Sequence, residues 1–255
     1  MAEAGEAGGR GAGYLICTTP RSGSWLLCEA LAHTDKAGLP QEYLMCHVPF
    51  DAEWRVPTAE TLDDYLEWVK ETTATSNGVV GIKVHWAQWR HLQKALGTDA
   101  SGVLARLEQT LPDLLVVRLR RRDRLRQALS YHRALQDQRW WRLDGDPPSK
   151  AEVALDVDQV DRLQRLLESH DEHWSRLVAG RPRVLELTYE GLVADVPGTT
   201  AQVLQALGVP DDEARAAVAD VRPELRRQAG AQTEQWVHET LSWRRRRQER
   251  AEATR

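Results

Sequence analysis

Disulfide-building cysteine is scarce: Cys17, Cys28 and Cys46 are three in 255 residues, at unrelated spacings. That odd, irregular set excludes a disulfide scaffold and leaves reduced, packing thiols as the expectation. No apolar run approaches the roughly 18 residues a membrane helix needs, so no integral membrane association is expected. The opening MAEAGEAGGRGAG carries neither a basic start nor the apolar stretch of a secretory signal, and the expected location is cytoplasmic. An excess of positive charge is also missing. A formal net charge of -4 argues against nucleic acid as a partner and confines anion binding to local sites such as RLRRRDRLR (118–126). RRRR (244–247) has acidic neighbours and reads as a surface helix that frays at its end. There is one phenylalanine against ten tryptophans, so the aromatic surface is mostly indole. Trp140 and Trp141, adjacent in a polar stretch, fit either a pocket wall or ordinary packing.

What is present suits one α/β domain. Apolar residues make up 42% of the chain, enough for a real core, and no internal repeat divides it. Residues 2–13 are alanine, glycine and glutamate with one arginine, too poor in apolar surface to order themselves. The expected organisation is therefore a disordered tail at 1–13, a single domain over 14–250 and a frayed end at 251–255. Short apolar runs at 14–17, 78–86, 112–119 and 183–190 read as strands. Helical spacing follows from Ser24 onward and recurs at 61–72, 101–111, 123–139 and about 151–179, with further helices broken near Pro197, Pro210 and Pro223. The alternation predicts a mostly parallel central sheet flanked by helices. LDGDPPSK (143–150) is a turn-rich connection beside the tryptophan pair.

The turn between the first strand and helix carries the chemistry. A strand-to-helix turn gathers free backbone N–H groups and the positive end of the helix dipole at one point, which binds anions. Gly23 allows close approach to the main chain, Ser22 and Ser24 offer hydroxyl donors, and Arg21 adds a planar fork for two oxygens of a phosphate or sulfate. The structural alternative is a helix capped by Ser22 beside a solvated Arg21. A nucleoside triphosphate loop would need G-x-x-x-x-G-K-[ST]; its first glycine and its lysine are both missing, which disfavours an ATP-dependent kinase. Gly-x-Ser-x-Gly is absent too, removing the common hydrolase elbow. HDEHW (170–174) sets His170 and His173 three apart without a third ligand, and a solvated helix face is expected rather than a metal site.

The run Thr19-Pro20-Arg21-Ser22-Gly23-Ser24 resembles the 5'-phosphosulfate loop of sulfotransferases, and KAGLPQEYL (36–44) is similar to the bacterial Stf0 type. The resemblance spans about residues 14–240 and implies a P-loop-like sulfotransferase fold. It implies transfer of a sulfuryl group from 3'-phosphoadenosine 5'-phosphosulfate (PAPS) to a hydroxyl of a carbohydrate, glycoside or other small metabolite. In that family an arginine after a strand and a later serine bind the 3'-phosphate. Here VVRLRRRDRLRQALS offers Arg120, Arg121 or Arg122 with Ser130, and counting back from Asp123 favours Arg121. The late Arg227 and Gln228 match residues that close over the nucleotide.

The glutamate of the family's Pro-x-Glu segment is the proposed base, a role that falls to Glu42. Lys83, near a strand end, would support the sulfonate or the acceptor, and His85 is a rival base or a structural residue. Tyr189 and Glu190 read as structural. A sulfuryl group carries less charge than a phosphoryl group, so no metal is expected. Family members can be homodimers. Two departures stand out: Trp25 occupies a position where many relatives carry threonine, which puts one donor contact in doubt, and the triple arginine blurs the register. The remaining alternatives are a kinase using ATP and a nucleotide-binding protein without turnover.

Overall fold

The computed structural model describes residues 13–44, 61–143, 145–147, 153–225 and 230–253. Most of the expected tail, together with Cys46, Arg227 and Gln228, lies outside the described residues. Four parallel strands form one sheet: β1 (Gly13–Thr18), β2 (Val80–His85), β3 (Leu115–Arg120) and β4 (Val184–Thr188), in the order β2-β1-β3-β4. β1 is buried along its whole length, as a central parallel strand covered on both faces must be. It starts one residue before the expected run because Gly13 is the residue that fits there: a Cβ would lie 2.8 Å from Leu111 Cβ.

Period-two alternation sends β1 into two cores. Tyr14 and Ile16 pack with Leu27 and Leu31 of α1 (Ser24–Ala32) and with Val203 and Leu204 of α8 (Val196–Ala206). Leu15 and Cys17 face the opposite layer. That layer is made by α2 (Leu62–Thr73), α3 (Trp86–Leu96), α4 (Ala100–Thr110) and α6 (Val157–Val178). A third cluster joins α6 to α5 (Arg124–Asp137) and α10 (Ala231–Ala253) through Leu129, Val160, Leu167 and Trp236. The short α7 (Tyr189–Ala194) and α9 (Asp211–Val218) complete the described helices.

Three departures from the sequence expectations have local causes. The strand expected over 78–86 ends at His85, and Trp86 begins α3 without a loop, because Gln88 accepts the His85 backbone N–H at 2.7 Å and closes the first turn. The run expected as strand to residue 190 becomes helix at Tyr189, where the Thr188 hydroxyl accepts from Gly191 N at 3.1 Å. The histidine pair is not on a solvated face. His170 continues the buried stripe Val160, Leu163, Leu167 and Trp174 of α6, and the His173 ring stacks on Trp86 at 5.0 Å. Pro197 lies in the first turn of α8 and Pro210 caps α9, so these prolines begin helices. Cys17 and Cys28 are buried free thiols.

Candidate functional site

The strand order positions the site. β2 lies on one side of β1 and β3 on the other, so the segments leaving the carboxyl ends of β1 and β3 diverge and open a crevice between them. The indole N–H of Trp174 donates to Thr18 O at 2.8 Å and pins the end of β1 at its mouth.

On the β1 side, Gly23 is the N-cap of α1, at φ +83, and no side chain caps the helix. The glycine is required twice over: its φ is left-handed, and a Cβ would sit 2.7 Å from Tyr189 Cδ2. Arg21 also holds a left-handed backbone at φ 64, a strained conformation of the kind that aims a side chain at a functional site. Ser24 and Trp25 line the cleft. The Ser22 hydroxyl does not reach it, being fully buried and 2.5 Å from Thr18 Oγ1, which in turn donates to Leu119 O at 2.7 Å. Ser22 therefore ties the loop to β3 rather than capping α1.

The β3 side meets it directly. Arg21 Nε donates to Ser130 Oγ at 2.9 Å, and its guanidinium also reaches the Trp140 carbonyl. Arg121 is buried; it donates to Arg21 O at 3.3 Å and stacks over the Tyr189 ring at 4.3 Å. Burial, reinforced by the like charge of Arg121, pushes the Arg21 guanidinium down to about 10. Gln127 braces the loop, donating to Thr19 Oγ1 at 2.9 Å and to Pro20 O at 2.8 Å. Arg120 goes elsewhere: its exposed side chain points to Glu186, 4.0 Å away, and is not part of the cleft wall. Arg122 uses its backbone N–H, which donates to Glu190 at 3.0 Å.

A buried acid-base cluster lies beside the same cleft. Gln41 bridges Ile82 in parallel, with Lys83 N donating to Gln41 O at 2.8 Å, and this extra pairing on the edge of β2 delivers Glu42 to Lys83. Lys83 Nζ lies 2.5 Å from Glu42 Oε1 and 3.5 Å above the Trp25 ring. Gln88 Nε2 donates to Glu42 Oε2 at 2.5 Å, and His85 Nε2 is 3.4 Å from Oε1. Burial alone would raise the Glu42 carboxyl. The hydrogen bond and charge of His85 and those of Lys83 outweigh it, leaving Glu42 well below the usual carboxylate range. For Lys83 burial dominates and lowers it from its ordinary value, with the Glu42 carboxylate acting in the opposite sense.

The family model for Stf0 sulphotransferase matches residues 13–243. The chain belongs to the Stf0 sulphotransferase family. This sulfotransferase is 28% identical over 253 residues to trehalose 2-sulfotransferase of Mycobacterium tuberculosis, covering 88% of the chain and 92% of that protein. The same figures hold for trehalose 2-sulfotransferase of Mycolicibacterium smegmatis. Among solved structures, a sulfotransferase from Alicyclobacillus acidocaldarius superposes with a TM-score of 0.50 at 13% identity, covering 89% of each chain, a likeness of fold. The P-loop-like sulfotransferase fold expected from the sequence is the fold observed.

The sulfotransferase thus brings together Arg21, Gly23, Ser24, Trp25, Arg121 and Ser130 in one cleft, and Glu42 with Lys83 next to it. Sequence reasoning missed Gln88, Gln127, Arg133 and the cleft-facing Tyr189, whereas Trp140 and Trp141 take the pocket-wall alternative left open for them. Signals for two of them were available. Gln88 stands three residues after the end of an apolar run, the capping position, and Arg126, Ser130 and Arg133 follow the four-then-three spacing that puts them on one face of α5. Tyr189 carries no such mark. Among the described residues no helix is long and apolar enough to cross a membrane.

Proposed function

We propose that this sulfotransferase takes its sulfuryl group from PAPS and passes it to a hydroxyl of a sugar-containing acceptor, with Glu42 receiving the proton. The observation that carries the donor assignment is the 2.9 Å contact between Arg21 and Ser130, which unites two anion-binding segments 109 residues apart. The donor set fits a molecule bearing anions at both ends. Open amides at the start of α1 with Arg21 suit the sulfonate end, while Arg121 and Ser130 suit a 3'-phosphate. Burial is the main cause of the lowered Arg21 guanidinium, and an anion between Arg21 and Arg121 would relieve the Arg121 repulsion that adds to it. The names of the two mycobacterial relatives support a sugar acceptor.

PAPS, when bound, supplies the group that moves. The chain's own residues hold it, orient the acceptor and manage one proton. Glu42 is ionised and aimed by Lys83 and Gln88, and so is ready to accept a hydrogen bond from a hydroxyl. Its depressed basicity suits a loose transition state, by analogy with phosphoryl transfer: the incoming oxygen is only partly bonded, and its proton becomes acidic late. A strong base would add little. Arg21 and the loop amides stabilise the charge that shifts between oxygens.

Calorimetry with adenosine 3',5'-bisphosphate, adenosine 5'-phosphate and ATP tests the donor. Affinity for the bisphosphate should exceed that for the other two by on the order of a hundredfold, the worth of a charge-assisted contact or two. Equal affinities would overturn the donor assignment.

A further inference from the structure

A second groove opens from the donor cleft. It shares Trp25, Trp141 and Leu225 with the cleft and runs past Leu39 and Pro40 to Gln41, the residue before Glu42. Its volume is about 300 Å³. The two spaces differ in chemistry. Arg21, Arg121, Arg126, Arg133 and Arg142 surround the cleft, whereas no cation lines the groove among the described residues. The carboxylate there, Glu29, is engaged, accepting Glu224 N at 2.6 Å and Leu225 N at 3.3 Å.

Apolar side chains are nevertheless held open to water around it. Leu39 is 45% exposed, Trp141 53% and Leu143 38%, so three of the seven large apolar residues exposed in the described chain border this one groove. Their positions are fixed. Leu143 bridges Leu225 and its N–H donates to Asp146 Oδ2 at 2.8 Å; Trp141 meets Trp25 edge-on at 6.0 Å; the Tyr43 hydroxyl donates to Leu39 O at 2.6 Å. A grouped apolar surface of this kind marks a binding site. A bare sugar along it would lose water from many hydroxyls and find few partners in return.

Building on the sugar-acceptor reading above, we infer that the acceptor is amphiphilic, with its sugar at the Glu42 end of the groove and an apolar aglycone lying along Trp25, Leu39, Trp141 and Leu143. The occupant is identified by continuity: a molecule whose hydroxyl meets Glu42 beside the donor cleft finds this apolar channel leading away past Gln41, the residue next to Glu42. In the transfer, the acceptor oxygen forms its bond to sulfur, the donor's bridging S–O bond breaks with its electron pair leaving on the phosphate, and Glu42 takes the hydroxyl proton. The aglycone is unchanged and contributes binding only.

Methyl, hexyl and phenyl β-glucosides and trehalose are the probes, titrated by calorimetry into the full chain saturated with adenosine 3',5'-bisphosphate, then assayed for sulfation with PAPS. Hexyl and phenyl glucosides should bind on the order of tenfold more tightly than methyl glucoside, as expected for partial burial of a short apolar chain. The gain should appear in KM with kcat little changed, because the aglycone is held equally in ground and transition states. Leu143→Asp and, separately, Leu39→Asp should bring the hexyl-to-methyl ratio toward one, with bisphosphate affinity reporting that each variant is folded. The inference is overturned if neither hexyl nor phenyl glucoside binds, if trehalose and methyl glucoside equal them, or if the ratio survives both substitutions. Sedimentation showing a dimer that Leu143→Asp dissolves would assign the face to a second copy of the chain and also overturn it. Loss of bisphosphate preference over adenosine 5'-phosphate in the unmodified chain would instead count against the donor reading.

Discussion

Lys83 and Glu42 form an ion pair at 2.5 Å in which the lysine is fully buried and the carboxylate nearly so. Two opposite charges out of water depend on each other: removing either strands its partner. The pair also lies next to both the cleft and the apolar groove, because the Lys83 ammonium rests on the Trp25 ring that lines both.

Replacing Lys83 by methionine should move the acid limb of the kcat/KM profile to higher pH. The sign follows from the site: the cation helps hold Glu42 in its ionised form, so without it the carboxyl takes up a proton earlier as pH falls. Glu42→Gln should keep bisphosphate affinity and slow transfer by about 10² to 10⁴-fold, the usual worth of a general base. An acid limb that stays in place in Lys83→Met would show that Glu42 does not set it.

Arg120 and Arg121 can be told apart by binding alone. Arg121→Ala should weaken adenosine 3',5'-bisphosphate by on the order of tenfold or more while affecting adenosine 5'-phosphate less. Arg120→Ala should alter neither beyond about twofold, since its partner Glu186 lies away from the cleft and exposed pairs contribute little. Calorimetric titrations of the two variants decide the register, and the reverse ranking would assign the phosphate to Arg120.

Gly23→Ala should cost about 1–3 kcal/mol in a urea melt, because the added methyl combines a left-handed backbone with a 2.7 Å approach to Tyr189. Tyr189→Ala in the same background should recover part of the loss. A variant as stable as the parent would mean that the turn relaxes freely.

His170 gives a pH signature to folding. Burial, with the charges of His173, Arg90 and His85, pushes it down to about 4. The unfolded chain then binds a proton that the folded chain refuses, so stability falls as pH drops from the ordinary histidine value, about 6.5, toward 4. His170→Phe should flatten the urea-midpoint profile across that window. An unchanged slope would assign it to other groups.

Much of the site was legible because its parts are local. Arg21, Gly23 and Ser24 belong to one strand-to-helix turn whose backbone amides are open by geometry, and any chain with that turn presents them. Ser22 turns inward for a tertiary reason: its hydroxyl meets Thr18 at the end of β1, which is itself held by the Leu119 carbonyl of β3. His170 and His173 read as solvated from residue type alone, yet the period-3.6 apolar stripe of α6 runs through His170, and position on that stripe decides its burial. Tyr189 reached the cleft only because the last strand stopped a residue short of it.

Periodicity in the chain determined by itself the alternation of strands and helices, and a short run of residue types determined the anion-binding turn, because both depend on neighbours a few bonds apart. Which arginine of three turns inward, which carboxylate meets Lys83, and how the apolar groove joins the cleft were decided only when the parallel sheet closed. Those outcomes depend on strand order and register, which set segments 41 to 109 residues apart side by side. Contacts at that separation arise from packing two cores against the two faces of one sheet, and no local preference encodes them.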